Sequence, residues 1–135
     1  MEFSTLNESD LHNTLKTMYC EIYEGKTEVE QDGHVYDILT KNGNIIEIQT
    51  KNLGKLLPKI KAIINKGRNI KVVHPVIIST TIEIYDSDNQ LISRRKSPKK
   101  GSIYDVINEL SGLCEVLLDP YFYLEIVEIN MIEQR

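Results

Sequence analysis

The spacing of apolar residues divides the first half of the chain into a helix, three short strands, a second helix and a fourth strand. Between residues 10 and 24 the apolar positions recur every three or four residues, which predicts an amphipathic helix that Gly25 ends. From residue 28 to 50 the pattern changes to short β-type runs. These runs are separated by Asp32-Gly33 and Asn42-Gly43, two dipeptides typical of hairpin turns.

A second amphipathic stretch and a buried strand complete a β-α-β unit. The helix is predicted over 53–66, with Pro58 in its first turn and Gly67 at its end. Its apolar residues form one stripe, and its lysines are expected on the solvent side. These lysines are Lys55, Lys59, Lys61 and Lys66. Residues 70–74 should then form a strand parallel to the third one, because crossovers of this kind link parallel strands.

The second half of the chain predicts further strands and one helix. Strands are expected over 76–85 and 90–93 around a turn at 86–89, followed by a loop over 94–101, a helix over 104–117 and a strand over 121–132. We therefore predict one α/β (α+β) domain over residues 1–135, with a mixed central β-sheet and flanking helices in the order αβββαβ followed by ββαβ. Residues 1–75 would form its core and residues 76–135 a C-terminal extension.

Charge is distributed unevenly along the chain. The formal net charge is −4, but residues 1–40 carry −7, residues 41–100 carry +9 and residues 101–135 carry −6. A basic middle segment of this size indicates a polyanion-binding surface. The alternative is that the charges only solvate helix faces.

The composition also indicates in which compartment of the cell the protein is expected. The first residues lack the apolar segment of a signal peptide, and no apolar run approaches the roughly 20 residues that span a bilayer. Cys20 and Cys114 lack the close spacing of a metal or redox site, so both are expected to be buried thiols. We therefore expect a cytoplasmic protein that does not bind membranes.

Two acidic residues, Asp37 and Glu47, interrupt the apolar strands of the meander. Burying a carboxylate costs free energy unless a cation or hydrogen bonds compensate it. Neither acid has an arginine nearby in the sequence, so the pair indicates a site that holds a cation. A tight two-residue turn would place Asp37 near Ile48, and a shift of one residue would place it beside Glu47 or Gln49.

This order of elements, with Asp on the second strand and Glu-x-Gln on the third, resembles the PD-(D/E)XK nuclease superfamily. The similarity is greatest to its Holliday-junction-resolvase-like and restriction-endonuclease-like branches, and it covers roughly residues 8–75. The resemblance implies a restriction-endonuclease-like fold. It also implies that Asp37 and Glu47 bind one or two Mg²⁺ (or Mn²⁺) ions, with the Ile48 carbonyl as a further ligand.

Gln49 is the departure from the pattern of that superfamily. The superfamily usually has a lysine at this position, and the lysine orients or deprotonates the attacking water. Glutamine can orient a water molecule, but it carries no charge and cannot act as a base. The missing charge could come from Lys51, two residues further along, or from Lys16 on the first helix.

The first helix carries a second set of candidate residues. Glu8, His12 and Lys16 recur every four residues and would form one polar stripe. The resolvase-like resemblance implies a metal-associated glutamate on this helix, for which Glu8 has the best spacing and Glu21 is the alternative. His12 would contact phosphate or transfer a proton. Ordinary charge pairing on a solvated helix face is the other interpretation.

A longer set of motifs is similar to an uncharacterised prokaryotic family of hypothetical proteins. The motifs are Leu11–Lys16, Glu28–Gly33, Glu47–Thr50, Val73–Pro75 and the basic segment 94–101. This resemblance covers nearly the whole chain, and it implies no established activity.

Basic residues of the middle segment are expected to contact DNA phosphates. They are Arg94, Arg95, Lys96, Lys99 and Lys100 in the loop, with Lys51 and Lys55 near the second helix. The predicted function is a Mg²⁺-dependent DNA phosphodiesterase of the endonuclease type. The alternatives are a catalytically inactive nucleic-acid-binding or assembly module on the same fold, and a small regulator whose basic loop binds an acidic protein. The resolvase-like resemblance also implies a homodimer.

Overall fold

A mixed β-sheet with three α-helices forms the described part of the protein, which is an α+β fold. The structure is a computed structural model that describes residues 2–4, 8–97 and 105–135, with side chains from residue 10 onward. The strands are β1 (Glu2–Ser4), β2 (Lys26–Gln31), β3 (His34–Leu39), β4 (Ile45–Ile48), β5 (Ile70–Tyr85), β6 (Leu91–Lys96) and β7 (Phe122–Gln134). The helices are α1 (Glu8–Ile22), α2 (Leu57–Asn65) and α3 (Val106–Leu110). Six strands follow the order β1-β7-β5-β4-β3-β2, and β6 pairs with β5 beside this path.

The two faces of the sheet carry separate apolar cores, because successive residues of a strand point to opposite faces. Ile46 and Ile48 of β4 pack with Leu11 and Leu15 of α1. Ile45 points to the other face, where it packs with α2 and the segment after α3. The helices α1 and α2 therefore cover opposite faces, and β4 is enclosed between them. The predicted mixed sheet with flanking helices is confirmed.

The loop between β3 and β4 determines which residues face each other on these strands. It is a three-residue loop that ends at Gly43, whose φ of 84° lies in the left-handed region. Thr40 and Asn44 close this loop, because the Thr40 N–H donates to the Asn44 carbonyl at 2.8 Å, and the next pair is Leu39 with Ile45. A loop of this length shifts the pairing by one residue from that of a two-residue turn. Asp37 therefore comes to lie opposite Glu47, which was one of the alternatives left open by the sequence.

β5 is one continuous strand of 16 residues, whereas the sequence suggested two strands divided at Pro75. The Gln49 N–H donates to the Val73 carbonyl at 3.0 Å, so odd-numbered residues in this part of β5 turn their backbone groups toward β4. β4 ends at Ile48, and β6 begins to pair with β5 at Thr81. Within the described residues, the nitrogen of Pro75 thus faces an edge without a neighbouring strand. The proline is tolerated because it removes no ladder hydrogen bond.

The predicted helix over 104–117 is much shorter in the structure. The helix α3 has 5 residues and continues as a 3-10 turn over Ser111–Leu113. Serine and glycine are weaker helix formers than alanine or leucine, which favours an early end. A Cβ atom on Gly112 would lie 2.7 Å from the Cα atom of Gly54, so the two backbones touch at this point.

Other boundaries also differ from the predictions. Arg94–Lys96 belong to strand β6 and not to a loop, because they pair with Thr81–Glu83 of β5. Cys114 is exposed and Cys20 half-buried, so the prediction of two buried thiols is wrong. The strand β1, which pairs with β7, is too short to carry a detectable pattern. None of the helices in the described ranges is long and apolar enough to cross a membrane.

Candidate functional site

The candidate site lies where β3 and β4 separate. The backbone pairing of these two strands ends at Ile38 and Ile46. Beyond this pair, backbone N–H groups donate to acidic side chains instead of to the opposite strand. The Asp37 N–H donates to Glu47 Oε2 at 2.8 Å, and the Ile48 N–H donates to Asp37 Oδ2 at 2.9 Å. The structure thus brings together the two carboxylates that the sequence analysis selected. Each satisfies a backbone N–H group at the point where the ladder opens.

Glu47 is the more buried of the two acids, with 2% of its surface exposed. Burial and repulsion from the Asp37 carboxylate raise the pKa of Glu47 to about 7, although Lys59 opposes this shift. The group therefore titrates near neutral pH. Carboxyl groups perturbed by burial and a neighbouring like charge are typical of functional sites.

Lys59 of α2 supplies a positive charge to the site. Its Nζ forms an ion pair with Glu47 Oε1. It also donates to the Val35 carbonyl at 2.6 Å and lies 5.6 Å from the centre of the Tyr36 ring. A carboxylate, a carbonyl and an aromatic face therefore hold the ammonium group in one place.

The prediction that Lys59 faces solvent is wrong, because only 22% of its side chain is exposed. The sequence did carry a sign of this position. Lys59 stands three residues after Leu56 and four before Ile63, and both of these belong to the apolar stripe of the helix. A lysine on the buried side of a helix needs a buried acid as its partner.

Asp37 interacts with His12, which comes from the opposite face of the sheet. His12 Nε2 lies 3.3 Å from Asp37 Oδ2, and the imidazole also bonds to the Ile48 backbone. The hydrogen bond with Asp37 raises the pKa of His12, against the opposing effect of partial burial. Burial raises the pKa of Asp37, but the hydrogen bonds from His12 and the Ile48 N–H outweigh it and leave the pKa lowered. The two pKa shifts together favour an Asp37 carboxylate paired with a His12 imidazolium.

A second ion pair extends this polar region along α1. Lys16 Nζ donates to Glu28 Oε1 at 2.8 Å, and this contact lowers the pKa of Glu28. Glu28 has a φ of 52°, a left-handed conformation that is uncommon for a non-glycine residue within a strand. The structure therefore places Lys16 and His12 on one stripe, as predicted. Sequence reasoning missed Glu28, and no sequence pattern marks it.

Gln49 is bound to the loop that follows β4. Its side-chain amide donates to the Lys51 carbonyl at 2.7 Å and to the Asn52 carbonyl at 3.4 Å. Its own backbone carbonyl lies 2.7 Å from His74 Nδ1. The position at which the nuclease pattern has lysine is thus occupied by a side chain that stabilises the loop.

The predicted DNA-binding residues of β6 do not surround the carboxylates. Arg94 Nε lies 3.5 Å from the buried Glu83, while Arg95 and Lys96 are exposed. They pair with the distal half of β5, whereas Glu47 pairs with its proximal half. The distance along β5 between the part that pairs with Glu47 and the part that pairs with β6 is about 30 Å.

The remaining predicted residues fall into two groups. Lys51 and Lys55 are exposed in the segment between β4 and α2, near the carboxylate end of β4. Lys99, Lys100 and the side chain of Glu8 lie outside the described residues.

The two acids offer oxygen donors of the kind that a hard cation prefers. Two carboxylates on neighbouring strands lie next to the Ile48 backbone, and Mg²⁺ is commonly held by one or two carboxylates together with water and phosphate oxygens. Across residues 2–4, 8–97 and 105–135, no group of three or more His, Cys, Asp or Glu residues could hold a metal ion. Lys59 and His12 already contact the two acids, so a cation competes with both of them. Binding should therefore be weak without a phosphate ligand.

Residues 9–135 of the chain match the family model described as Domain of unknown function (DUF8091). The chain belongs to this family. An uncharacterized protein of Treponema pallidum (strain Nichols) is 33% identical over 130 residues, which are 96% of this chain and 51% of that protein. The chain thus spans about half the length of this relative. No solved structure matches the chain. The resemblance to an uncharacterised family is confirmed.

Proposed function

We propose that this DUF8091 protein is a Mg²⁺- or Mn²⁺-dependent phosphodiesterase that acts on DNA. The observation that carries the proposal is the pair formed by Asp37 and Glu47, which bridge two separating strands with Lys59 on the second acid. Replacing buried ion pairs by apolar residues is often neutral or stabilising. A buried acid beside a half-buried one is therefore better explained by a ligand than by stability.

The order of elements supports a restriction-endonuclease-like core of the PD-(D/E)XK type. The helix α1, the meander β2–β4, the helix α2 and the strand β5 follow one another in the order αβββαβ. β4 and β5 are parallel, and the acids lie on the second and third strands of the meander. This arrangement is the one that the resemblance implies.

Each side chain of the site has a separate role in this proposal. Asp37, Glu47 and the Ile48 carbonyl would hold the cation, which when bound polarises the phosphate and activates water. Lys59 replaces the missing lysine and stabilises the negative charge that develops on the phosphate. As water attacks phosphorus, it releases one proton to the solvent, the ester P–O bond breaks, and His12 would give its proton to the departing oxygen.

Cleavage of supercoiled and branched DNA with Mg²⁺ or Mn²⁺ tests the proposal. Asp37→Asn and Glu47→Gln keep the size of each side chain and should abolish cleavage. Lys59→Met should slow it by about 100-fold, the usual effect of removing one charge-stabilising group. Lys61→Met is the matched control on the same helix and should cleave like the wild type. Wild-type activity in both acid variants would show that the carboxylates are not the active site.

A non-catalytic nucleic-acid-binding or assembly module is the second candidate. The specific observation in its favour is that the protein itself already neutralises the acids, through Lys59 and His12. In that case wild-type protein should bind DNA without cleaving it in either metal. The variant Glu47→Gln should then bind as well as the wild type.

A further inference from the structure

A cavity of about 260 Å³ lies at the opposite end of β4 from the carboxylates. Its polar and aromatic lining residues are Tyr23, Thr40, Asn44, Asn69, Lys71 and Tyr123. Lys71 shares its side of β5 with Val73, which packs against α1, so the cavity and His12 belong to the same face of the sheet. The cavity reaches Ile45, three residues from Ile48, which corresponds to about 10 Å along β4.

A lysine is fixed at the edge of this cavity. Lys71 Nζ donates to Tyr23 Oη at 2.9 Å and lies 5.2 Å from the centre of the same ring. Tyr23 stacks in turn on Tyr19, with 6.3 Å between the ring centres. The bond to Tyr23 raises the pKa of Lys71, which keeps the ammonium group charged. A cation held in this way loses less conformational entropy on binding an anion than a free lysine does.

The other walls of the cavity offer stacking surfaces and amide groups. Tyr123 is 52% exposed and Tyr23 is 36% exposed, and since Tyr23 already stacks on Tyr19, Tyr123 offers the more open ring. Asn69 Nδ2 donates to Asn44 Oδ1 at 3.4 Å. This bond uses one donor and one acceptor of the two amides, and each amide has further donors or acceptors. Rings, amides and one cation together match a planar heteroaromatic base that carries a phosphate.

We propose that this cavity binds one nucleotide of an unpaired DNA strand. The base stacks on the tyrosine rings and is bonded at its edge by the asparagine amides, while its phosphate binds Lys71. This inference rests on the proposed function, because it places the nucleotide on the strand engaged at the carboxylate site. A distance of about 10 Å is short enough for neighbouring nucleotides of one strand to reach both sites, since even stacked nucleotides of a duplex advance about 3.4 Å each.

One acidic side chain opposes the phosphate. The Glu125 carboxylate accepts a hydrogen bond from Tyr19 Oη at 2.5 Å, and its charge also acts on Lys71. Phosphate alone should therefore bind weakly, because Lys71 attracts it while Glu125 repels it. Stacking of the base must supply the remaining affinity, which makes the cavity selective for a nucleotide over an inorganic anion.

Titration with dAMP, inorganic phosphate and a short single-stranded oligonucleotide tests the inference without divalent metal. We expect dAMP, but not phosphate at the same concentration, to shift the amide NMR signals of the cavity residues. Lys71→Gln and Tyr23→Leu should each weaken oligonucleotide binding by about tenfold. Glu125→Gln should strengthen it, because the opposing charge is removed while an acceptor for Tyr19 remains. Lys61→Gln, on the other face of the sheet, should have no effect.

Each contrary outcome has a defined meaning. Equal binding by the Lys71 and Lys61 variants, or phosphate shifts as large as those of dAMP, would overturn the nucleotide assignment. Binding of dAMP that the oligonucleotide does not displace would overturn the assignment to a strand. If circular dichroism shows that the Lys71 or Tyr23 variant does not fold, the Glu125→Gln variant provides the test instead. Unchanged oligonucleotide affinity in that variant would contradict the nucleotide assignment. If the protein binds the nucleotide without metal but does not cleave DNA, only the proposed function is contradicted. If it cleaves DNA but does not bind the nucleotide in this cavity, only the nucleotide assignment is contradicted.

Discussion

The carboxylate site and the Lys71 cavity lie at two ends of one strand, yet they hold their charges in different ways. At the first, Glu47 is buried and depends on an ion pair with Lys59. At the second, a neutral tyrosine hydroxyl fixes Lys71 near the surface. Unpairing a buried charge costs several kcal/mol, whereas water screens an exposed one. The carboxylate site should therefore govern stability, while the cavity should govern ligand affinity.

Replacing Lys59 by methionine should have the largest effect on stability. The free energy of unfolding at pH 8 should fall by about 3 kcal/mol, because Glu47 remains buried without a counter-charge. Lys61→Met removes an exposed ion pair with Glu115 and should change stability by less than about 0.5 kcal/mol. Urea unfolding followed by circular dichroism measures both changes. The double variant Lys59→Met/Glu47→Gln should recover most of the loss, and failure to recover would locate the effect elsewhere.

The pH dependence of stability should reveal the same buried acid. The pKa of Glu47 is about 7 in the folded protein, compared with an ordinary value of 4.5. The raised pKa favours folding below pH 4.5, and this contribution is lost as the pH rises through 7. His12, whose pKa is raised from its ordinary value of 6.5, acts in the same direction, and its contribution is lost as the pH rises above 6.5.

The expected loss of unfolding free energy attributable to Glu47 is about 3 kcal/mol between pH 4.5 and 8. Urea unfolding across this range measures it. Glu47→Gln should show a much flatter profile than the wild type. Parallel profiles for the two proteins would mean that Glu47 does not carry the dependence.

On the cavity side, Tyr19→Phe should cost about 1 kcal/mol of unfolding free energy. It removes the hydrogen bond to Glu125, which is only partly buried, so water can replace the lost donor. Tyr121→Phe is the control, because Tyr121 is 41% exposed. Urea unfolding of the two variants measures the difference. A loss as large as that of the Lys59 variant would remove the contrast between the two sites.

The smallest effect is expected from the basic strand β6. Arg95→Gln with Lys96→Gln should lower the slope of log affinity against log salt by about 2 if both residues contact DNA phosphates. Arg94 is left unchanged, because its removal would unpair the buried Glu83. DNA-binding titrations at several salt concentrations give the slope. An unchanged slope would exclude these two residues from the DNA interface.

The sequence located the two acids but not what surrounds them. Strand alternation and the turn dipeptides were enough to place Asp37 and Glu47 on neighbouring strands. Their register depended on whether the β3–β4 loop has two or three residues, which the dipeptide alone does not determine. Lys59 and His12 come from two helices on opposite faces, and local patterns do not specify such long-range contacts.

The continuity of β5 has a consequence for how the protein unfolds. The strand is about 50 Å long, and it pairs with β7 along most of its length and with β4 and β6 in turn on its other side. The boundary between the core and the C-terminal extension, which the sequence suggested between residues 75 and 76, falls within this ladder. A fragment that ends at Pro75 would leave the remaining partner strands without their template. The two halves should therefore unfold together as one cooperative unit, and the amide hydrogens of β5 on both sides of Pro75 should exchange with similar protection.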